Sequence, residues 1–114
     1  GAQGLVVSNH GGRQLDGVRS SISALPKIAD AVGSDLEVYM DGGVRSGLDV
    51  LKAMALGAKA CFIGRAWAYA LGAGGEAQVT KMLGTLRSEL AVAMVLTGCA
   101  NVREAGRELL DQEL

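Results

Sequence analysis

Gly57-Ala58-Lys59-Ala60-Cys61-Phe62-Ile63-Gly64 (GAKACFIG) has an earlier echo in Gly1-Ala2-Gln3-Gly4-Leu5-Val6-Val7-Ser8 (GAQGLVVS). Both stretches pass from Gly-Ala into a short apolar run and stop at a small residue. Such a run, bounded by turn formers, predicts a strand buried on both faces. In the later copy the Gly-Ala closes one helical pattern and opens the next strand. By analogy, Gly1-Ala2 reads as the end of a helix whose body lies outside this sequence. A third run, Glu37-Val38-Tyr39-Met40-Asp41, lies between the two copies. Strands alternating with helix-length segments imply parallel strands joined by crossover helices.

The segments between the strands carry helical signals. Ser20-Ser21 can cap a helix that runs to about Val32, with Ile22, Leu25, Ile28, Ala29 and Val32 on one stripe. Pro26 suits only a first turn, which allows a later start near Leu25. Ser46 with Asp49 three residues on is a capping-box signature. The helix it opens places Leu48, Leu51, Met54 and Ala55 on one face and stops at Gly57. After the third strand, Ala66 to Leu71 reads as a short helix, and Gly72-Ala73-Gly74-Gly75 breaks it. A long helix is expected from about Glu76 to Leu96, ended by Gly98, with a last short helix from Val102 to Leu110. This tail, Glu76–Leu114, is expected to pack outside the sheet or against a neighbouring subunit. The order is therefore β-α-β-α-β-α-α-α. Three apolar parallel strands leave two open edges, which need more sheet or a partner chain. The expectation is the C-terminal part of a larger α/β barrel or sheet.

Bulk composition narrows the function. At 114 residues and 49% hydrophobic, the chain can form a packed core, so disorder is not expected. The net charge of −1 comes from mixed signs without a basic cluster, which argues against a nucleic-acid-binding surface. With aromatics at 4%, base-stacking platforms are not expected either. Cys61 and Cys99 show neither metal-ligand spacing nor a disulfide framework, and Cys61 reads as a buried free thiol. No apolar stretch approaches 20 residues and no signal peptide is seen. The first residue is Gly, so an upstream segment lies outside this reading.

Chemistry is expected beyond the C-terminal ends of the strands, where parallel α/β folds keep their working residues. His10 and Arg13 follow the first strand, Asp41-Gly42-Gly43-Val44-Arg45 the second, and Gly64-Arg65 the third. Glycines expose backbone N–H groups, and two arginines beside them describe a phosphate cradle. The helix opening near Ser46 is expected to add its positive end. The alternative is turn glycines with solvated arginines, but the two loops repeat the same pairing. His10 is the only histidine, and imidazole titrates where proton abstraction needs it. Arg13 offers a planar fork for a carboxylate. Together they predict a small carboxylic acid that loses a proton from its α-carbon or hydroxyl. Trp67 and Tyr69 read as packing or oligomer contacts, and the four methionines as core or helix-face residues. Asp16 and Arg19 either orient the first loop or are solvated.

At three motifs the sequence resembles the FMN-dependent α-hydroxy acid dehydrogenase/oxidase family, above all bacterial L-lactate dehydrogenases. These are Ser8–Gly17 (SNHGGRQLDG), Asp41–Gly47 (DGGVRSG) and Leu56–Trp67 (LGAKACFIGRAW). The resemblance implies a (β/α)8 TIM barrel. Residues 1–114 would be the C-terminal fragment of one FMN-binding domain, supplying about strands six to eight plus C-terminal helices. It implies His10 as the active-site base and Arg13 as the ligand of the substrate carboxylate. Asp41, Gly42, Gly43, Arg45, Gly64 and Arg65 would hold the ribityl and phosphate parts of FMN. The implied reaction takes an L-2-hydroxy acid, L-lactate first, to the 2-oxo acid. Oxygen, a quinone or a cytochrome would be the electron acceptor. A homo-oligomer is implied, in the cytoplasm or peripheral at the inner membrane face, with no nucleic-acid partner and no metal. The family's early-barrel tyrosines, its strand-five lysine and the carboxylate that pairs the histidine have no counterpart in these residues. The 114-residue piece by itself is therefore expected to lack appreciable turnover. Inosine monophosphate dehydrogenase-like and type 2 isopentenyl diphosphate isomerase-like barrels share the phosphate loops but lack the SNHGGRQ loop. A non-enzymatic alternative is a half-barrel that self-associates through its open edges.

Overall fold

A computed structural model describes residues 1–111. Three strands, β1 (Gly4–Val7), β2 (Glu37–Met40) and β3 (Ala60–Cys61), form one parallel sheet in the order β1-β2-β3. Val6 aligns with Tyr39 and Tyr39 with Ala60, and one step on Val7, Met40 and Cys61 align, so side chains alternate in register across the sheet. The ladder of β3 is shorter than the apolar run suggests. It is extended by Lys59 N–H donating to the Val38 carbonyl and Phe62 N–H to that of Met40.

The crossover helices are α1 (Ser21–Val32) and α2 (Gly47–Ala55), and both cover one face of the sheet. Val7, Val38 and Met40 point to that face and pack with Leu25, Val44, Ala53 and Ala58 as the buried core. The opposite face is open: Val6 is 45% and Phe62 52% exposed. The strands are thus apolar on both faces but covered on one, because burial of the second face requires more polypeptide than these elements supply.

Helix α1 begins at Ser21, not near Leu25, and carries Pro26 in its interior. Proline in a helix interior removes one backbone bond and crowds the preceding turn, a loss of about 3 kcal/mol. Leu25 is wholly buried, worth about 2 kcal/mol, and Ile22, Ile28 and Val32 add their partly buried side chains to the same core, so the stripe as a whole offsets the proline. Tertiary packing holds the first turns. Ser20 occupies the N-cap position without making the cap bond, its hydroxyl donating instead to Ser23 Oγ.

Helix α2 starts with the expected capping box and ends at Gly57 (φ 107), where Ala58 N–H donates to the Ala53 carbonyl. Helix α3 (Arg65–Thr97) contains the expected break, located at Gly74-Gly75, and stops at Gly98 in the left-handed conformation. Its second segment lies on α2, not on the sheet. The last expected helix is replaced by two 3-10 turns, Val102–Glu104 and Arg107–Leu109. Arg107 straps the tail to α1 by pairing with Asp30 (2.6 Å) and donating to the Pro26 carbonyl. The tail expected from the sequence extends to Leu114, and residues 112–114 lie outside the described residues. No described helix is long and apolar enough to cross a membrane.

Candidate active site

Because the strands are parallel, their C-terminal ends share one edge, and the three loops leaving them surround a cleft of about 710 Å³. His10 and Arg13 line it from the first loop. Asp41, Gly42, Gly43 and Arg45 line it from the second, and Gly64 and Arg65 from the third. Every residue given a catalytic, substrate-binding or cofactor-binding role from the sequence therefore lines one cavity.

The first loop turns back on itself through three consecutive left-handed residues, His10 (φ 54), Gly11 (φ 67) and Gly12 (φ 71). Glycine adopts this region freely, whereas His10 does so at a cost of order 1 kcal/mol. Its own N–H donates to Ser8 Oγ (3.1 Å), and Arg13 N–H bonds back to the His10 carbonyl. Gln14 Nε2 lies 3.4 Å from His10 Nδ1. Asn9 holds the far end of the loop by donating to the Arg19 carbonyl.

The second loop leaves β2 through Asp41, whose N–H donates to the Val7 carbonyl. Gly42 and Gly43 follow at φ 88 and 81. A Cβ on Gly42 would sit 3.0 Å from Ser21 Oγ and 3.4 Å from Asn9 Oδ1, so the first two loops touch at this glycine. A Cβ on Gly43 would meet nothing within 4 Å. Arg45 and Ser46 N–H groups both donate to Asp49 Oδ2, Asp49 N–H donates to Ser46 Oγ, and Gly47 N–H donates to Glu89 Oε2. The positive end of α2, expected from the sequence to face the anion, is thus spent on protein carboxylates. Burial pushes the Asp49 carboxyl up. Bonds from Arg45 N–H and from Ser46, with the Lys52 charge, outweigh it and hold the group below the ordinary range.

The third loop supplies what α2 lacks. Gly64 is the N-cap of α3, with no side-chain cap bond and no acidic residue in the first turn. Gly64, Arg65 and Ala66 all line the cleft. A helix start with free N–H groups beside an arginine is an anion seat. Tyr69, one turn further on, also lines the cleft and is 75% exposed, so it does not pack within this chain. Its spacing of four from Arg65 was the available signal. Trp67 is 44% exposed and lies outside the cleft lining. The Cys61 thiol is pushed up to about 11 by burial and the Asp49 charge, which removes thiolate chemistry from the list of options at neutral pH.

A family model described as FMN-dependent dehydrogenase matches residues 1–112. The chain belongs to the FMN-dependent dehydrogenase family. It is 59% identical over 114 residues to an L-lactate dehydrogenase of Caulobacter vibrioides, covering 100% of this chain and 30% of that protein. It is 57% identical over 110 residues to the L-lactate dehydrogenase of Azorhizobium caulinodans, covering 96% of this chain and 29% of that protein. Among solved structures it superposes on a mandelate oxidase with benzoyl-formic acid, with a TM-score of 0.89 and 52% identity. That match covers 94% of this chain and 32% of the oxidase. A mandelate oxidase with a monooxide FMN adduct matches equally well, over 94% of this chain and 34% of the other. The three strands and their helices are therefore one part of a TIM barrel. The chain spans about 30% of the length of the curated relatives it matches.

The cleft fits the polar end of FMN, the cofactor of this family. Asp41 Oδ1 is buried and has no hydrogen-bond partner, an acceptor suited to a ribityl hydroxyl. Among the described residues, the N–H groups of Gly42, Gly43 and Gly64 likewise make no hydrogen bond. A Cβ on Gly43 or Gly64 would meet only open space, so both glycines let a ligand approach the backbone. Arg45 and Arg65 supply the charge a phosphate requires.

Proposed function

We propose that this chain supplies the proton-transfer and phosphate-binding side of an FMN-dependent oxidation of an L-2-hydroxy acid, with L-lactate as the first candidate, to the 2-oxo acid. The single observation that carries the reading is the cleft shared by His10 and Arg13 with the Asp41–Arg45 and Gly64–Arg65 loops. FMN, when bound, is the two-electron acceptor. Asp41 would accept from the ribityl chain. The free N–H groups of Gly42, Gly43 and Gly64, with Arg45 and Arg65, would hold the phosphate. Arg13 would bind the substrate carboxylate through two parallel bonds and fix which hydrogen faces His10. His10 would take one proton from the substrate and hold it as a cation.

The 114 residues are read as the C-terminal part of one FMN-binding barrel domain, about strands six to eight. Oxygen, a quinone or a cytochrome completes the turnover, in a homo-oligomer located in the cytoplasm or at the inner membrane face. Identities of 55–59% to proteins named L-lactate dehydrogenase support lactate over bulkier acids.

The decisive experiment is His10→Gln in the intact protein, with L-lactate and an artificial electron acceptor. The expected result is a fall in kcat of about 10²- to 10⁴-fold with flavin still bound, the range of a lost general base. Turnover at the unaltered rate would overturn the assignment. The isolated 114-residue chain is expected to show no appreciable lactate oxidation.

A further inference from the structure

The Glu89 side chain crosses from the second segment of α3 to the start of α2, 42 residues away in sequence, and accepts from Gly47 N–H at 2.9 Å. Gly47 is buried at this contact, and the two helices meet there backbone to backbone. A Cβ at position 47 would lie 2.0 Å from Leu90 N and 2.5 Å from the Leu86 carbonyl oxygen. Two residues before Gly47 stands Arg45, whose side chain lines the cleft and whose N–H is fixed by Asp49. The Asp41–Arg45 loop thus hangs between two anchors. One is Asp41 N–H on the Val7 carbonyl, and the other is the Asp49–Glu89 pair at the helix start. Asp49 is a local cap within its own helix. Glu89 is the only one of the two that ties the loop to a different element.

We infer that Glu89 is a positioning residue for the phosphate-binding loop, acting through Gly47 N–H and touching neither cofactor nor substrate. The inference rests on the FMN reading given above. Loss of the bond frees the helix start against α3, and the loop before it no longer presents Arg45 and the glycine N–H groups in one fixed arrangement. The cost falls on recognition of the phosphate and not on the rest of the flavin.

The test compares FMN with riboflavin, which lacks the phosphate, binding to the intact apoprotein by flavin fluorescence titration. The unaltered protein is expected to prefer FMN; if it binds both equally, the phosphate-site reading itself fails. In Glu89→Ala the FMN preference is expected to fall on the order of tenfold, the worth of one charge-assisted bond to a buried N–H, with riboflavin affinity unchanged. Equal weakening of both flavins, or of neither, overturns the inference. Two conservative variants keep the test decisive if the alanine protein does not fold. Glu89→Gln keeps an acceptor of the same reach but loses the charge, so the greater part of the preference stays and the fall is smaller than in Glu89→Ala. Glu89→Asp keeps the charge but is one methylene shorter, so the preference drops. The reverse pattern, with Asp tolerated and Gln not, would overturn the assignment to this bond.

Discussion

Helices α2 and α3 both start at the rim of the same cleft, each behind a glycine-bearing turn, yet their first turns are opposites. At α2, Ser46, Asp49 and Glu89 take up the N–H groups, and the backbone is pressed against α3. At α3, the cap is a bare glycine with no acid in the first turn, and the start opens into the cleft. The difference teaches that a helix start is a ligand site only when the protein itself leaves it unsatisfied. One start is closed by protein carboxylates; the other keeps its N–H groups open to the cleft.

The largest effect should come from breaking the closed start. Gly47→Ala puts a methyl group into the backbone of α3, and a cost of about 3 kcal/mol is expected from the forced separation of the two helices. Thermal unfolding checks it; a melting temperature equal to the parent's would show that the helices can slide apart freely. The open start should respond in the other way. Arg65→Ala should weaken FMN binding by about ten- to a hundredfold, as for a charged hydrogen bond, while stability stays within about 0.5 kcal/mol. Titration calorimetry and a melt on the same sample separate the two numbers. A smaller change is expected for Ser46→Ala, which removes the hydroxyl that accepts from Asp49 N–H, a loss of about 1 kcal/mol in denaturant unfolding.

The smallest contrast is with pH. The Asp49 carboxyl is held below its ordinary value of 3.8 in the folded chain, so the unfolded chain binds the proton more readily. Its stabilising effect is complete above that value and is lost as pH drops through the lowered folded one. An acid titration of stability should therefore fall less steeply below pH 3.8 in Asp49→Asn than in the parent. Identical slopes would mean the carboxylate is not held by the α2 start.

These elements also show what a sequence discloses. The capping box at Ser46 and Asp49 was legible because its partners are three residues apart, and so was the cleft, since parallel strands bring their following loops to one edge. The start of α1 was ambiguous because Pro26 speaks only for local preference, whereas burial of the whole stripe of Ile22, Leu25, Ile28 and Val32 decides the outcome. The reach of Glu89 had no local signal at all, its partner being 42 residues away. The same holds for the misjudged positive end of α2: its spacing marks a helix start but not a second carboxylate arriving from another helix. The place of Tyr69 in the cleft had no signal beyond its spacing from Arg65, and its exposure leaves the oligomer-contact expectation standing beside it.

The break inside α3 has a consequence for how such a barrel can change. Gly75, at φ 61 and ψ −149, is in a conformation that only glycine takes readily. That joint separates the direction of the segment headed by Arg65 from that of the segment clamped on α2. Substitutions around the joint can therefore change the direction of the Arg65 segment while the contact with α2 stays as it is, so the cleft wall and the helix packing are free to evolve on separate schedules.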